Sequence, residues 1–393
     1  MVWLLVLFLV YTLLIGVGVI GDGFKWLSGG KEGAAAIFEF AGNPIVGVIL
    51  GILATALVQS SSTVTSVIVG LVAGGVPVSV AVPMIMGANM GTTITNTIVS
   101  LGNLRDRAAF GKSFEAATVH DFFNLYSILI FLPIEIMFHP LERLGGAMAG
   151  WFYSDGSASM SGLNFMGAIT KPLSGLIIDG LHYLPASVGP FLAIMIGISL
   201  IIASVILLGN LLKNIMTGRA QSIIDTAVGR GPLMGIFSGT IVTVLVQSSS
   251  TTTSLVVPLA GAGVLTTRQV YPFSMGANIG TCITALLAAT AVAGEAGVVA
   301  LQIALVHLMY NVFGVVVFQF VPWVKNTPLW SAHWLGSRVV LNRGWAIAYI
   351  LAVFFCLPGT VFAAETYFRK PALNSDKAEE IAEELENSGV VIE

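Results

Sequence analysis

The sequence predicts an all-α polytopic membrane protein built as an inverted-topology internal repeat with broken, re-entrant helices that carry QSSS motifs. Three observations predict it: an apolar composition, a set of polar landmarks that recurs once at a near-constant offset, and a reversal of loop charge between the two sets. Of the 393 residues, 56% are hydrophobic and only 9% charged, with a mean hydropathy of +0.91. That balance excludes an ordinary water-soluble domain. The lipid bilayer is the expected surrounding, and no nucleic-acid partner is expected.

Apolar stretches of spanning length lie near 1–21, 45–73, 76–103, 114–138, 186–212, 231–261, 270–292, 297–322 and 345–364. The first is long enough to cross, since about 20 helical residues span roughly 30 Å of hydrocarbon, and no small-residue cleavage site follows it, so it reads as a retained helix. The chain divides into a first transmembrane helix and connector (1–39), repeat 1 (40–138), an inter-repeat loop (139–185), a linking transmembrane helix and loop (186–227), repeat 2 (228–322), a loop and final transmembrane helix (323–366) and an acidic tail (367–393). The tail, with Glu379, Glu380, Glu383, Glu384 and Glu386, reads as a solvated segment. Cys282 and Cys356 both sit in apolar stretches and form no disulfide framework.

The repeat rests on three landmarks. Gln59-Ser60-Ser61-Ser62-Thr63 recurs 188 positions later as Gln247-Ser248-Ser249-Ser250-Thr251. Gly87-Ala88-Asn89-Met90-Gly91-Thr92 recurs after 189 as Gly276-Ala277-Asn278-Ile279-Gly280-Thr281. Ala117-Thr118-Val119-His120, leading to Asn124, recurs after 187 as Ala304-Leu305-Val306-His307, leading to Asn311. Common order at nearly constant offset marks an internal duplication. Between the second and third landmarks the first copy carries Arg105, Arg107 and Lys112, whereas the second carries only Glu295. Basic short loops stay in the cytoplasm, so these equivalent loops are expected on opposite sides. Lys213, Arg219 and Arg230 before the second copy, and Lys325, Arg338 and Arg343 after it, agree. The same count puts the N-terminus inside and the tail outside.

The two polar runs are the candidate binding elements. A helix broken there offers unpaired N–H groups and a positive dipole end to an anion, and unpaired carbonyls to a cation such as Na+. No lysine or arginine lies between Lys31 and Arg105, or between Arg230 and Arg268. An anion bound there needs compensation from dipoles, hydroxyls or a co-bound cation, because an unpaired charge in low dielectric costs many kcal/mol. The argument favours cation coupling and does not choose between Na+ and H+. Asn89 and Asn278 sit between glycines that permit either a helix break or close backbone approach, where the amide caps a half-helix or offers a carbonyl to a cation. His120 with Asn124, and His307 with Asn311, share a helical face and read as interhelical hydrogen-bond nodes. Glu115 and Asp121 read as partners of the nearby Arg105, Arg107 and Lys112. No HExxH, GxSxG or Walker pattern is present, so the chain is not expected to be an enzyme.

The two QSSS runs, the Gly87–Thr92 motif and Thr118-Val119-His120-Asp121-Phe122-Phe123-Asn124 resemble the type II sodium-dependent phosphate cotransporters, specifically bacterial members. The resemblance covers about residues 40 to 365, and Ile169-Thr170-Lys171-Pro172-Leu173 also looks like family sequence. It implies a multi-pass protein of the bacterial inner membrane that takes up inorganic phosphate driven by Na+, with Na+ as coupling ion and no other cofactor. It also implies a transport site around both QSSS segments: Gln59, Ser60, Ser61, Ser62, Thr63, Gln247, Ser248, Ser249, Ser250 and Thr251, with Asn89, Thr92, Asn278 and Thr281. Ser61, Ser62, Gln247, Ser249 and Thr251 are the candidate Na+ ligands, and which hydroxyls hold Na+ or phosphate stays open. An anion channel, or a Na+-coupled transporter of another small oxyanion, is the alternative. Whether the chain forms a homodimer is not decided by the sequence. Vertebrate relatives carry a glycosylated, disulfide-bearing loop between the halves, whereas residues 139–185 contain no cysteine and no Asn-x-Ser/Thr acceptor.

The charge reversal has a direct test. Single cysteines at Arg107→Cys and Glu295→Cys, in a Cys282→Ala, Cys356→Ala background, are expected to react with an impermeant thiol reagent from opposite sides of sealed vesicles. Reaction of both from one side would contradict inversion.

Overall fold

The computed structural model describes residues 2–29, 42–154, 164–185, 187–228, 230–364 and 367, all helical or connecting. The connector before the first copy and the acidic tail fall outside these residues. Helix α1 runs Val2–Ser28. Copy 1 contains α2 (Pro44–Val58), α3 (Ser61–Ala73), α4 (Val78–Thr92), α5 (Ile94–Ser100) and α6 (Arg107–Phe138). Helices α7 (Pro140–Ser154), α8 (Asn164–Leu181) and α9 (Gly189–Ala227) lead to copy 2, which contains α10 (Pro232–Val246), α11 (Ser249–Gly261), α12 (Thr267–Thr290) and α13 (Glu295–Phe320). Helix α14 (Thr327–Leu341) and α15, which starts with Gly344–Leu351 and continues through a π turn at Ala352–Cys356, complete the described chain.

Local sequence sets these boundaries. Asn43 accepts from the Ile45 N–H with Pro44 in the first turn of α2, Asp106 accepts from Ala108 and Ala109 to start α6, and Thr266 with Gln269 forms a capping box at α12. Seven segments among the described residues are long and apolar enough to cross a membrane: 2–28, 78–103, 107–138, 189–212, 267–290, 295–320 and 344–364. The pairs α2–α3 and α10–α11 are different. A 15-residue helix reaches only ~22 Å, short of the roughly 30 Å hydrocarbon layer. The apolar stretches 45–73 and 231–261 are therefore each two half-helices, broken at Gln59-Ser60 and at Gln247-Ser248.

Two expectations change here. The Gly-Ala-Asn-x-Gly motifs break no helix; 87–92 lies within α4 and 276–281 within the continuous α12. Their glycines instead let backbones touch. A Cβ at Gly87 would sit 2.0 Å from the Val48 carbonyl oxygen of α2, and one at Gly276 would sit 1.9 Å from that of Ile236 in α10. The facing Gly51 and Gly239 are equally tight, 2.1 Å from the Met84 oxygen and 2.0 Å from the Phe273 oxygen. Each broken pair is thus pressed against the asparagine helix of its own copy by one reciprocal glycine contact. Likewise, the segments read as loops at 139–185 and 323–343 hold α7, α8 and α14. Their apolar residues alternate with polar ones at helical spacing rather than forming a spanning run.

The copies then cross-pack. Helix α3 of copy 1 lies against α12 and α13 of copy 2, and α11 of copy 2 lies against α5 and α6 of copy 1. Helix α1 packs along α9, where a Cβ added at Gly16 would sit 2.9 Å from the Gly197 carbonyl oxygen and one added at Gly197 would sit 2.8 Å from that of Gly16. Gly276→Ala forces α10 and α12 apart and is expected to cost about 1–3 kcal/mol as an overpacking change. Gly209→Ala, on α9 with no atom within 4 Å of the new methyl group, is expected to be neutral or stabilising. Thermal unfolding of the two purified variants, followed by size-exclusion fluorescence, checks the contrast.

Candidate functional site

The two breaks have the same local geometry. Gln59 (φ 58, ψ 26) and Gln247 (φ 55, ψ 28) end α2 and α10 in the left-handed region, which non-glycine residues seldom occupy. Their N–H groups bond Thr55 and Thr243 carbonyls, both at 2.7 Å. The side-chain amides turn back to the Ala56 and Val244 carbonyls, while their oxygens accept from Thr95 at 2.8 Å and Thr284 at 3.0 Å. Each glutamine therefore closes the carbonyl end of its half-helix and ties it to a later helix, α5 for Gln59 and α12 for Gln247.

The following residue restarts the chain. Ser60 and Ser248 are extended N-caps, each accepting from an N–H three residues on, Thr63 and Thr251, both at 3.2 Å. Thr63 also donates its hydroxyl to Ser60 at 2.9 Å, a bond Thr251 does not repeat. Ser61 (3% exposed), Ser62 (4%), Ser249 (3%) and Ser250 (9%) fill the first turns. Among the described residues their hydroxyls have no protein partner, and no hydrogen bond joins the two hydroxyl turns directly. Four buried hydroxyls beside first-turn N–H groups that lack helical acceptors form two donor sets able to take a ligand.

Between the turns lies a reciprocal network. Asn278 accepts at 2.8 Å from Nε2 of His120 and donates at 2.8 Å to Asn124, so the copy 2 asparagine is held by the copy 1 histidine and asparagine. Asn89 pairs with Nε2 of His307 at 3.2 Å and donates to Asn311 at 3.1 Å, the mirror arrangement. Neither asparagine caps a half-helix. Thr92 and Thr281 donate back to Ala88 and Ala277 within their own helices. The exchange is self-complementary, which is what a two-fold relation between copies produces.

Asn96, which the sequence left unassigned, and Asp121, which it read as a partner of nearby cations, extend this network. Asn96 donates towards Nδ1 of His120 at 3.2 Å and accepts from Thr253 at 2.7 Å, joining the His120 node to the second hydroxyl helix. Copy 2 has Ala285 at the matching position, and the Nδ1 of His307 has no partner among the described residues. Asp121 is fully buried, accepts from Thr97 and Tyr349, each at 3.0 Å, and keeps Oδ1 without a partner. The expected pairing of Asp121 with Arg107 fails for a plain reason: fourteen residues of one helix separate them by ~21 Å. Glu115 pairs instead with His333 of α14 at 3.1 Å. The polar positions Asn96 and Thr97, inside an otherwise apolar stretch, were the available signal.

The family model described as Na+/Pi-cotransporter matches residues 12–151 and 200–332. The chain is 30% identical to sodium-dependent phosphate transport protein 2B of Pongo abelii and of Homo sapiens, over 91% of this chain and 64% of each relative. It is 33% identical to sodium-dependent phosphate transport protein 2A of Rattus norvegicus, over 91% of this chain and 67% of that protein. The chain thus spans somewhat less than two thirds of the length of the first two. No solved structure matches it. Because the matched ranges take in both glutamine breaks, both hydroxyl turns and both asparagine–histidine nodes, the chain belongs to the Na+/Pi-cotransporter family.

Proposed function

We propose that the chain is a secondary active transporter that couples Na+ entry to uptake of inorganic phosphate by alternating access. The observation that carries this reading is the pair of buried hydroxyl turns, Ser61-Ser62 and Ser249-Ser250, free of protein partners at the start of half-helices. Their N–H groups and positive dipole ends suit an anion, and the negative dipole ends of α2 and α10 immediately before them, together with the serine hydroxyl oxygens, suit a cation. With no lysine or arginine in either motif core, each ion lowers the desolvation cost of the other, a physical basis for coupling. The substrate and the coupling ion come from the relatives, which are named as sodium-dependent phosphate transport proteins.

Gln59 through Thr63 and Gln247 through Thr251 are the proposed binding set, with Asn89, Thr92, Asn278 and Thr281 behind them. Ser61, Ser62, Gln247, Ser249 and Thr251 are the proposed Na+ ligands. Asp121 adds a buried carboxylate with a free oxygen, suited to offset cation charge. An inverted arrangement of the copies is supported by parity: three spanning segments, 78–103, 107–138 and 189–212, separate the start of one broken pair from the other. Odd crossings reverse direction, and inverted repeats place sites of this kind near the bilayer midplane. The relatives are mammalian; a bacterial inner-membrane location is our own reading, supported by the short, cysteine-free segment between the copies.

Purified protein in liposomes is expected to accumulate radiolabelled phosphate under an inward Na+ gradient, with sulfate a poor competitor. Equal uptake with K+ in place of Na+ would refute coupling. Dissipative flux that never exceeds equilibrium would favour the channel, and equal sulfate uptake would favour a broader oxyanion carrier.

Substitution separates the two glutamines. Gln247→Ala leaves the buried Thr284 hydroxyl without its partner, a loss of about 1–3 kcal/mol that lowers apparent Na+ or phosphate affinity roughly 10-fold. Gln59→Ala acts in the same direction but more weakly, because Gln59 is exposed. Uptake normalised to folded protein reads the difference, and unchanged affinities in both variants would move the site away from the breaks.

A further inference from the structure

A polar cavity of about 200 Å³ lies apart from the hydroxyl turns, where α1, the end of α3, α8 and the α12–α13 turn meet. Asp22 and Lys25 of α1 and Lys171 and Ser174 of α8 line it together with Ala291–Ala293, and the three charged residues are open to solvent while Ser174 is buried. At ~30 Å³ per water molecule it has room for about six, enough for one tetrahedral oxyanion and some solvent. The charges in it are not collapsed into pairs. The only ion pairs among the described residues are His139–Glu142 and His333–Glu115, so neither lysine lies within 4.0 Å of Asp22, although all three interact electrostatically across the space.

Two ammonium groups held apart in one cavity attract an anion, and Asp22 then sets a condition on which anion. A carboxylate repels any fully deprotonated oxyanion beside it. It favours one that retains a proton, because the anion's O–H can donate to it while the remaining oxygens accept from the lysines. Phosphate keeps such an O–H at neutral pH; sulfate does not. A site built to accept a ligand's O–H discriminates strongly against an analogue without one.

We propose that this cavity is a binding site for protonated inorganic phosphate, held between Lys25 and Lys171 with Asp22 accepting its O–H. It draws on α8 and on the Thr170–Pro172 segment, which the transport site does not use. With the N-terminus inside, as the loop charges put it, α1 ends on the outer face, where the cavity gathers substrate ahead of the hydroxyl turns. Only that placement and purpose rest on the transport reading; the binding chemistry does not.

The test therefore omits Na+ and transport. Full-length protein in detergent, in choline buffer, is assayed for radiolabelled phosphate binding and for acylation of Lys25 and Lys171 by an amine reagent, read by mass spectrometry. Inorganic phosphate is expected to protect both lysines, roughly 5-fold better than sulfate at equal concentration, and Lys171→Gln to remove the sodium-independent binding. Asp22→Asn is expected to abolish the preference, so that sulfate protects as well as phosphate, an outcome that a merely structural Asp22 does not produce. Wild-type protection by sulfate equal to that by phosphate, or no protection by either, overturns the proposal. Vesicles containing phosphatidic acid form the second arm, since its headgroup is also a protonated phosphate. Protection by those vesicles but not by inorganic phosphate makes the occupant a lipid and overturns the assignment as well. Intact protection here together with no Na+-driven uptake in the liposome assay above counts against the transport reading alone.

Discussion

A helix interrupted inside a bilayer has no water to satisfy its loose backbone groups, and the rest of this architecture depends on how that cost is met. Gln59 and Gln247 accept left-handed backbone conformations, which cost about 1–2 kcal/mol each for a residue with a side chain. In return their amides cover carbonyls that would otherwise be exposed to hydrocarbon, and the serine that follows covers an N–H at the restarting end. What stays uncovered is selective: the first-turn N–H groups and the serine hydroxyls. Because the chain covers nearly everything else at the break, the remaining groups are the ones left to meet a ligand, as the proposed transport site requires.

The surrounding helices hold the break in position without entering it. Glycine contacts bring α4 and α12 so close to α2 and α10 that a single methyl group is excluded, which fixes the depth of each broken pair relative to the asparagine of its own copy. The asparagines then bond across to the other copy. Their equivalence ends at Asn96 and Asp121, for which copy 2 has Ala285 and Leu308. The first copy thereby acquires a hydrogen-bonded link to the second hydroxyl helix and a buried carboxylate, and the second copy has neither. The two hydroxyl turns, alike in local geometry, are in this way given chemically unequal surroundings.

Much of this was legible in sequence because polar residues are rare in an apolar chain and therefore conspicuous. The hydroxyl runs at the two helix breaks and the histidine nodes follow from that contrast. The glycine–asparagine motif did not, since glycine reads equally as a break or as a contact surface, and only the partner helix decides. For Gly87 that partner is Val48, almost forty residues earlier and itself unremarkable in sequence. Asp121 was misread because the nearest cations in sequence are distant along a helix, while its true partners, Thr97 and Tyr349, come from separate segments. Proximity in sequence is a poor guide to partnership on a long helix, where each residue advances ~1.5 Å along the axis and turns to a new face.

The reciprocal pairing of Asn89 with His307 and Asn311, and of Asn278 with His120 and Asn124, has a consequence for descent. After a tandem duplication each half is ordinarily free to drift while the other preserves the ancestral role. Here neither half contains a complete node of its own. A change in one asparagine is felt first by the histidine of its twin, so compensating changes must arise in the opposite half of the gene. The halves are bound to change as a couple, and a recombinant that joined one half to a half from a distant lineage would inherit two mismatched nodes at once.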